Sequence, residues 1–264
     1  MNVAIIGTGN VAWHLARVFE KNEILVTDIY GRDEDKAEEI GQQLYEVKIN
    51  TELDFSESRA DVFFVCVSDD AIAEVCSKAL FPEGAIVVHT SGGRPLSDVQ
   101  ETLRIYHDLP VSSGVFYPVM TFTKGKAVDF LKIPIAIESE NEETENLLLG
   151  LARAISNEVF LMNSKERAIL HVSAVFSCNF TNHLWALSKA ILDSENLEFD
   201  MLKPLIAETF KKAMASDHPA EVQTGPALRG DDSSIKSHLD YLAEDEDLLE
   251  VYETLTKSIQ DWHE

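Results

Sequence analysis

The sequence predicts an α/β fold in which a doubly wound, mainly parallel sheet is followed by an all-helical region. Short, continuously apolar runs, typical of strands buried on both faces, alternate with helical periodicity through the first part of the chain. From about Ser164 onward only long helical patterns remain. We therefore expect two domains, at residues 1–162 and 163–264.

This alternation places each element in turn. Apolar runs predict strands at 3–6, 24–30, 61–67, 85–89, 111–117, 133–138 and 159–162, and helical spacing predicts helices at 11–19, 35–44 and 143–155, with another beginning at Ala71. In the second domain, helices are predicted at 165–192, 200–215, 233–241 and 248–262. Segment 168–187 lacks Asp, Glu, Lys and Arg, but its His and Asn side chains are too polar for lipid, so we predict a buried helix there.

Glycines at a characteristic spacing follow the first predicted strand. The run reads Gly7-Thr8-Gly9-Asn10-Val11-Ala12. In this pattern the first glycine permits a tight turn, the second lets backbone N–H groups approach phosphate oxygens, and the last small residue lets the helix pack closely on the sheet. The phosphates then lie at a helix N-terminus, whose free N–H groups and dipole favour anions. The strand before the glycines and the helix after them favour dinucleotide binding over a bare structural turn.

The end of the second predicted strand indicates which dinucleotide is bound. An NAD site usually places Asp or Glu there to bind the ribose 2′-hydroxyl, whereas an NADP site offers Arg. Here Gly31, Arg32 and Asp33 follow the strand, which favours NADP, with Arg32 facing the 2′-phosphate. Asp28 within the strand and Asp33 beside the arginine count against this choice, and the alternative for Arg32 is a solvated loop cation.

The composition excludes several classes of partner. A net charge of −24 and an isoelectric point near 4.6 argue against nucleic acid and anionic membrane, because both would be repelled. Cys66, Cys76 and Cys178 form no C-x-x-C pair, which suits reduced thiols in a cytoplasm, and we expect no leader segment. The acidic pair Asp69-Asp70 lacks the further ligands that a metal site needs, so we predict no metal.

Polar side chains on the first long helix of the second domain are candidates for catalysis. At 100° per residue, His171 and Asn182 lie about 20° apart, and Asn179 lies about 80° away, on a helix that is otherwise mostly apolar. Histidine exchanges protons near neutral pH, while amides orient a carbonyl or carboxylate without titrating. The alternative for these three residues is a helix-to-helix hydrogen-bond network.

Further candidates follow the central strands, whose carboxyl ends meet at one edge of a parallel sheet. The residues predicted to bind the cofactor there are Val67, Ser68 and Asp69, and those predicted to bind the substrate are Thr90, Ser91 and Gly92. Ser91 either binds a substrate carboxylate or caps a turn before Pro95. In the second domain, Arg229 either binds an anionic substrate or pairs with Asp231.

Together these motifs resemble a family of bacterial Rossmann-like proteins that carry a C-terminal helical domain of unknown function. The resemblance spans almost the whole chain and rests on the glycine run and on residues 67–70, 89–92, 114–118, 171–182, 224–227 and 229–231. More distantly, the chain is similar to pyrroline-5-carboxylate reductase, β-hydroxyacid dehydrogenases and deazaflavin-dependent NADP oxidoreductases. The resemblance implies a 6-phosphogluconate-dehydrogenase-like helical domain, a homodimer with a cleft between domains, and Tyr117 in the substrate site. The Lys-based proton relay of β-hydroxyacid dehydrogenases is not expected, since no lysine follows His171 until Lys189.

From these residues we predict an oxidoreductase that moves a hydride between NADP(H) and the carbonyl, imine or alcohol of a small, anionic metabolite. His171 is the predicted proton donor or acceptor, Asn179 and Asn182 orient the reacting group, and Ser91 or Arg229 holds a carboxylate. The alternative is a non-catalytic protein that senses NADP or regulates a partner.

Overall fold

The computed structural model describes all 264 residues and contains one eight-stranded sheet. The strands are β1 (Asn2–Ile6), β2 (Leu25–Tyr30), β3 (Lys48–Asn50), β4 (Val62–Val65), β5 (Ile86–His89), β6 (Ser112–Pro118), β7 (Ile135–Ser139) and β8 (Val159–Leu161). Their order is β3-β2-β1-β4-β5-β6-β7-β8. Neighbours from β3 through β6 are parallel, β7 is antiparallel to β6, and β8 is parallel to β7. The predicted doubly wound, mainly parallel sheet is confirmed. Strands β2 and β3 are added on one side of β1, and β4 and the later strands on the other, so the strand order reverses between β1 and β4; folds of this class bind ligands at that point.

Helices cover both faces of this sheet. They are α1 (Asn10–Lys21), α2 (Glu34–Gly41), α3 (Ile72–Lys78), α4 (Leu96–Tyr106) and α5 (Glu142–Ile155), and a further helix, α6 (Ser164–Ala174), follows β8. Successive residues of a strand point to opposite faces, so Phe63 and Phe64 of β4 enter two different apolar clusters. Phe64 packs against Phe19 of α1 at a ring separation of 4.9 Å, whereas Phe63 packs against Phe81 at 5.1 Å. These two layers hold the central strands rigidly and so fix the strand ends where ligands bind.

The predicted strands are all present, with ends that differ by at most two residues. Two elements within residues 1–177 were missed. The short strand β3 follows no apolar run, and α4 begins directly after Pro95 without a side-chain cap. Both take part in long-range packing, which a local pattern does not report.

The chain forms two compact units, Met1–Ser177 and Cys178–Glu264. The second unit contains α7 (Thr181–Ser194), α8 (Lys203–Ala215), α9 (Pro226–Arg229), α10 (Asp232–Leu242) and α11 (Glu246–His263). Helices α10 and α11 are joined by a hydrogen bond between His238 Nδ1 and the Tyr252 hydroxyl, 2.8 Å apart. No helix in the chain is both long enough and apolar enough to cross a membrane.

The helix predicted over 165–192 is helical throughout, but it is not a uniform α-helix. A π-helical segment, Val175–Phe180, separates α6 from α7. A π-helical turn bonds residue i to i+5, so the projection at 100° per residue does not apply across it. The relation calculated above between His171 and the two asparagines therefore does not hold.

The prediction of a buried helix at 168–187 is also wrong. Ile169 is 59% exposed, Val172 58% and Trp185 40%. Apolar side chains favour burial, but their presence in a sequence does not show whether this chain or another molecule covers them.

Candidate functional site

The turn between β1 and α1 has the geometry expected of the glycine motif. Gly7 has φ +123°, and its N–H donates to the Tyr30 carbonyl at 2.8 Å. A Cβ at Gly7 would lie 2.4 Å from the Cys66 carbonyl oxygen, so neither the backbone conformation nor the available space admits a side chain. Gly9 precedes α1 without a side-chain cap, which leaves the first N–H groups of the helix available to an anion. The fully buried Ala12 packs the helix on the sheet.

A cavity of about 480 Å³, here called the glycine-loop cavity, lies beside this turn. Its lining includes Gly7, Thr8 and Gly9, the segment 30–33 after β2, Val67 and Ser68 after β4, and side chains of α2 and α3. Arg32 is exposed and lines the cavity, as a residue that binds a 2′-phosphate should. The residues present therefore fit a dinucleotide, with a glycine turn for the pyrophosphate and a cation near the end of β2. Of the other predicted contacts, Asn10 uses its side-chain oxygen to accept the Lys124 N–H at 3.3 Å.

The two acids that argued against NADP have other partners. Asp28 is 4% exposed and accepts hydrogen bonds from Thr27 at 2.8 Å, Asn50 at 3.1 Å and Ser58 at 2.6 Å. Its carboxylate is therefore used inside the fold. Asp33 caps α2 and pairs with Lys36 at 2.8 Å, and the hydrogen bonds from Lys36 lower the pKa of Asp33.

Two rings meet at the ends of β5 and β6. The Tyr117 hydroxyl oxygen lies 3.1 Å from His171 Nδ1, and the rings contact edge to face with centroids 5.9 Å apart. A Cβ on Gly92 would lie 2.6 Å from Tyr117 Cζ and 2.7 Å from His171 Nδ1, so only glycine lets both rings rest on the backbone at this position. A Cβ on the next residue, Gly93, would be 3.5 Å from Asp69 Oδ2 and 3.6 Å from His171 Cδ2. The fold thus gathers a phenol, an imidazole and a carboxylate around two glycines.

This cluster and the glycine-loop cavity share one edge of the sheet. The link is Cys66, whose carbonyl lies against Gly7 and whose thiol interacts with Thr90. Burial raises the pKa of the Cys66 thiol to about 12, against the opposing effect of the Thr90 hydrogen bond, so the thiol stays protonated and acts as packing. The predicted cofactor and substrate segments of the first unit are therefore adjacent at the carboxyl ends of the strands.

Ser91 has a structural role in this edge. It is 8% exposed, and its hydroxyl oxygen accepts the N–H groups of Gly93 at 3.1 Å and Arg94 at 3.0 Å. This geometry supports the turn-capping alternative over substrate binding.

A buried arginine holds α6 in place. Arg167 is 1% exposed; its guanidinium pairs with the Glu138 carboxylate and donates to the Arg94 carbonyl oxygen. Ser164, also on α6, donates its backbone N–H to Glu138 at 2.9 Å and accepts the Leu96 N–H at 3.0 Å. These bonds join the end of β7 and the turn after β5 to the first turns of α6, the helix that carries His171.

Sequence reasoning missed Arg167, although it stands four residues before His171, on the same helical face. Near it, His89 is fully buried, and its pKa is lowered to about 3, first by burial and then by the charge of Arg167. This histidine is therefore neutral at physiological pH and belongs to the packing rather than to acid–base chemistry.

The remaining predicted site residues lie in the second unit. Asn179, in the π-helical segment, and Asn182, on α7, are exposed. Arg229 ends α9 and is also exposed. The alternative ion pair with Asp231 is not formed; Asp231 instead caps α10 by accepting the Ser234 N–H at 3.1 Å. No group of three or more His, Cys, Asp and Glu side chains is arranged to hold a metal ion.

The chain is similar to a family and to several solved structures. Residues 2–93 match the family model described as NADP oxidoreductase, coenzyme F420-dependent, and residues 133–259 match a domain of unknown function, DUF2520. The solved structure of "putative NADP oxidoreductase BF3122" from Bacteroides fragilis is 37% identical, with 98% of each chain covered and a TM-score of 0.87. No curated protein matches the chain.

Two further structures share the fold at low identity. Protein TM1727 from Thermotoga maritima is 20% identical, with 99% of this chain and 98% of that chain covered and a TM-score of 0.71. A reductive aminase from Aspergillus terreus, solved with NADPH and ethyl levulinate, is 12% identical, with 98% and 94% covered and a TM-score of 0.70.

Proposed function

Since the chain belongs to the same family as the Bacteroides fragilis protein BF3122, with an F420-dependent-type Rossmann region followed by a DUF2520 region, we propose that it transfers a hydride between NADP(H) and a small, anionic metabolite. The resemblance stated from the sequence motifs is confirmed by these matches. The observation that carries the proposal is the pair of Tyr117 and His171 on Gly92, at the same edge as the glycine turn.

NADP(H) is the cofactor, and bound there it would supply or accept the hydride. Gly7, Gly9 and the N-terminus of α1 would hold the pyrophosphate, and Arg32 would hold the 2′-phosphate. Burial of Asp28 supports this choice, because its carboxylate is hydrogen-bonded inside the fold, while Asp33 is paired with Lys36.

The chain's own residues then move the proton. Reduction of a C=O or C=N bond places a hydride on carbon and requires one proton on the oxygen or nitrogen. The Tyr117 hydroxyl can donate that proton while His171, hydrogen-bonded to it, supplies a replacement; oxidation runs in the opposite direction. Asp69 also approaches this point, since a Cβ on Gly93 would lie 3.5 Å from its Oδ2.

Several residues are proposed to contact the substrate. We propose that Thr90 and Gly92 contact it, that Asn179 and Asn182 orient the reacting group, and that Arg229 holds its anionic group. Arg229 suits this role because it is exposed and has no salt bridge in the chain.

We also propose a cytoplasmic homodimer built from residues 163–264, with residues 1–162 binding the cofactor. Exposed apolar side chains support this assembly, since a stable homodimer interface resembles a domain core cut in half. They include Val172, Trp185, Leu205, Phe210 and Met214. Light scattering on the purified protein would return a monomer mass if the proposal is wrong.

The central experiment is a substrate screen. Small keto acids, imines and hydroxy acids would be incubated with the protein and NADPH or NADP⁺, and the absorbance of NADPH would be followed. We expect turnover that requires His171, and tighter binding of NADPH than of NADH in unaltered protein but not in Arg32→Gln. If NADPH binds tightly yet no compound is turned over and substitution at His171 changes nothing, the non-catalytic sensor is the better description.

A further inference from the structure

The α3 helix carries two charged residues into the glycine-loop cavity. Glu74 and Lys78 both line it, opposite the residues that follow β2. They form an (i, i+4) ion pair, with Lys78 Nζ 2.6 Å from Glu74 Oε1, and both side chains are more than 60% exposed. An exposed pair of this kind contributes little to stability, so its lysine is easily drawn to a stronger anion.

Glu74 also interacts with Arg32 across the cavity. The pKa of Glu74 is lowered first by the hydrogen bond and charge of Lys78, and further by the charge of Arg32. The carboxylate therefore lines the same cavity as both cations. Arg32 is the residue proposed to hold the 2′-phosphate there.

The charges that line the cavity show what Lys78 adds. They are Arg32, Asp33, Lys36, Glu74 and Lys78. Three of these are cations and two are carboxylates, so the cavity has a net positive charge of one; without Lys78 the charges cancel. The chain as a whole has a net charge of −24, so its long-range field repels an anion and does not replace the positive charge lost with Lys78.

We propose that Lys78 is a specificity-determining residue for NADP(H), and that Glu74 holds Lys78 at the cavity until the 2′-phosphate takes the place of the Glu74 carboxylate. A phosphate monoester carries about −1.5 to −2 charges near pH 7, more than a carboxylate does, so both Lys78 and Arg32 gain by the exchange. This inference rests on the proposed use of NADP(H). It adds Lys78, which lies 48 positions beyond the end of β2 and outside the motif that predicts the cofactor.

The test compares two fragments of the cofactor that differ only in the 2′-phosphate. Adenosine 2′,5′-bisphosphate and adenosine 5′-monophosphate would be titrated calorimetrically into the full chain, unaltered and as Lys78→Gln and Glu74→Gln. Lys257→Gln is the matched control, since Lys257 forms an equally exposed (i, i+4) pair with Asp261, at 2.7 Å, on α11. It removes the same charge from a surface that does not line the cavity.

We expect Lys78→Gln to weaken binding of the bisphosphate by about fivefold at low salt, the upper range for an exposed charge contact, while binding of the monophosphate changes by less than about twofold. Glu74→Gln should strengthen bisphosphate binding, because it removes the competing carboxylate, and Lys257→Gln should match the unaltered protein.

An equal loss for both nucleotides in Lys78→Gln, or no loss, would overturn the role of Lys78 while leaving the NADP preference intact. If the unaltered protein binds the two nucleotides equally well, the proposed 2′-phosphate subsite fails, and the role of Lys78 fails with it.

Discussion

The Tyr117 hydroxyl oxygen and His171 Nδ1 are 3.1 Å apart, although 54 residues separate them in sequence. Tyr117 comes from the penultimate position of β6 and His171 from α6, and both rings rest on the backbone of Gly92. A phenol and an imidazole in this arrangement can pass a proton between them, whereas either ring alone offers only a single donor or acceptor near the reacting atom.

Replacement of His171 by alanine should lower turnover of a substrate found in the screen by about 100-fold, the usual contribution of a general acid–base group. The dissociation constant of NADPH, measured by fluorescence, should stay within about twofold, because His171 does not line the glycine-loop cavity. Tyr117→Phe should have a similar effect, and the double variant should be little worse than either single one, since the two rings act as a unit. His263→Ala, at the exposed end of α11, serves as the control. Fully additive effects would contradict a shared proton path.

Gly92→Ala should lower turnover about as strongly as His171→Ala does. The new methyl carbon would lie only 2.6 Å from Tyr117 Cζ and 2.7 Å from His171 Nδ1, so both rings would have to move. Gly93→Ala is the matched control, since its methyl group would make ordinary van der Waals contacts at 3.5 and 3.6 Å. Both variants would be assayed for turnover and for the midpoint of urea unfolding. Equal activity in the two variants would show that the close approach of the rings to Gly92 is unimportant.

The two glycines of the cofactor turn should respond differently to alanine. Gly7→Ala is expected to destabilise the fold itself, because of the positive φ and the clash with the Cys66 carbonyl. Gly9→Ala leaves its methyl group 4.0 Å from the same carbonyl, so the fold should be retained while NADPH binding is lost, since the phosphate can no longer approach the backbone. Thermal unfolding with and without NADPH would separate the two effects. A Gly9→Ala variant that NADPH still stabilises would refute this reading.

Arg167→Met should cost about 3–5 kcal/mol of unfolding free energy, because it leaves the Glu138 carboxylate in a mostly buried position without its partner. The double variant Arg167→Met with Glu138→Gln should recover part of that loss, since no unpaired charge remains. Urea unfolding of the three proteins, with the (i, i+4) surface-pair variant Lys189→Gln as the control, would measure both effects. A double variant less stable than Arg167→Met would argue against this account.

Stability should fall as the pH is lowered from 7 to 5. The folded-state pKa of His89 is about 3, below its ordinary value of 6.5, so between these two values the unfolded chain binds more protons and acid favours unfolding. The contribution of His89 to the loss is about 2 kcal/mol at pH 5. Burial also lowers the pKa of His14, which adds to the loss in the same direction. The difference in unfolding free energy between pH 7 and 5 should be smaller in His89→Asn, and an unchanged difference would contradict neutral burial of His89.

Local sequence patterns identified seven of the eight strands and the glycine turn because each depends on neighbours within a few residues. A run of apolar residues predicts a buried strand, and a short spacing of glycines predicts a turn that approaches phosphate. The structure supports turn capping, the second of the two roles that the pattern allowed for Ser91, and it contradicts the buried helix predicted at 168–187, whose apolar side chains are exposed. In both cases the sequence shows the chemical character of the side chains, polar or apolar, but not which groups they contact.

The sequence by itself determined the class of fold and favoured NADP, because alternating strands and helices give a mainly parallel sheet and the glycine spacing with Arg32 matches a dinucleotide site. Only the tertiary structure decided which side chains meet there. Burial of Asp28 removed the main argument for NAD, and the close packing around Gly92 paired Tyr117 with His171. Glu74 and Lys78 of α3 face Arg32 because the sheet brings the ends of β2 and β4 onto either side of β1. Contacts between residues this far apart in sequence depend on the packing of the whole sheet, and no local pattern encodes them.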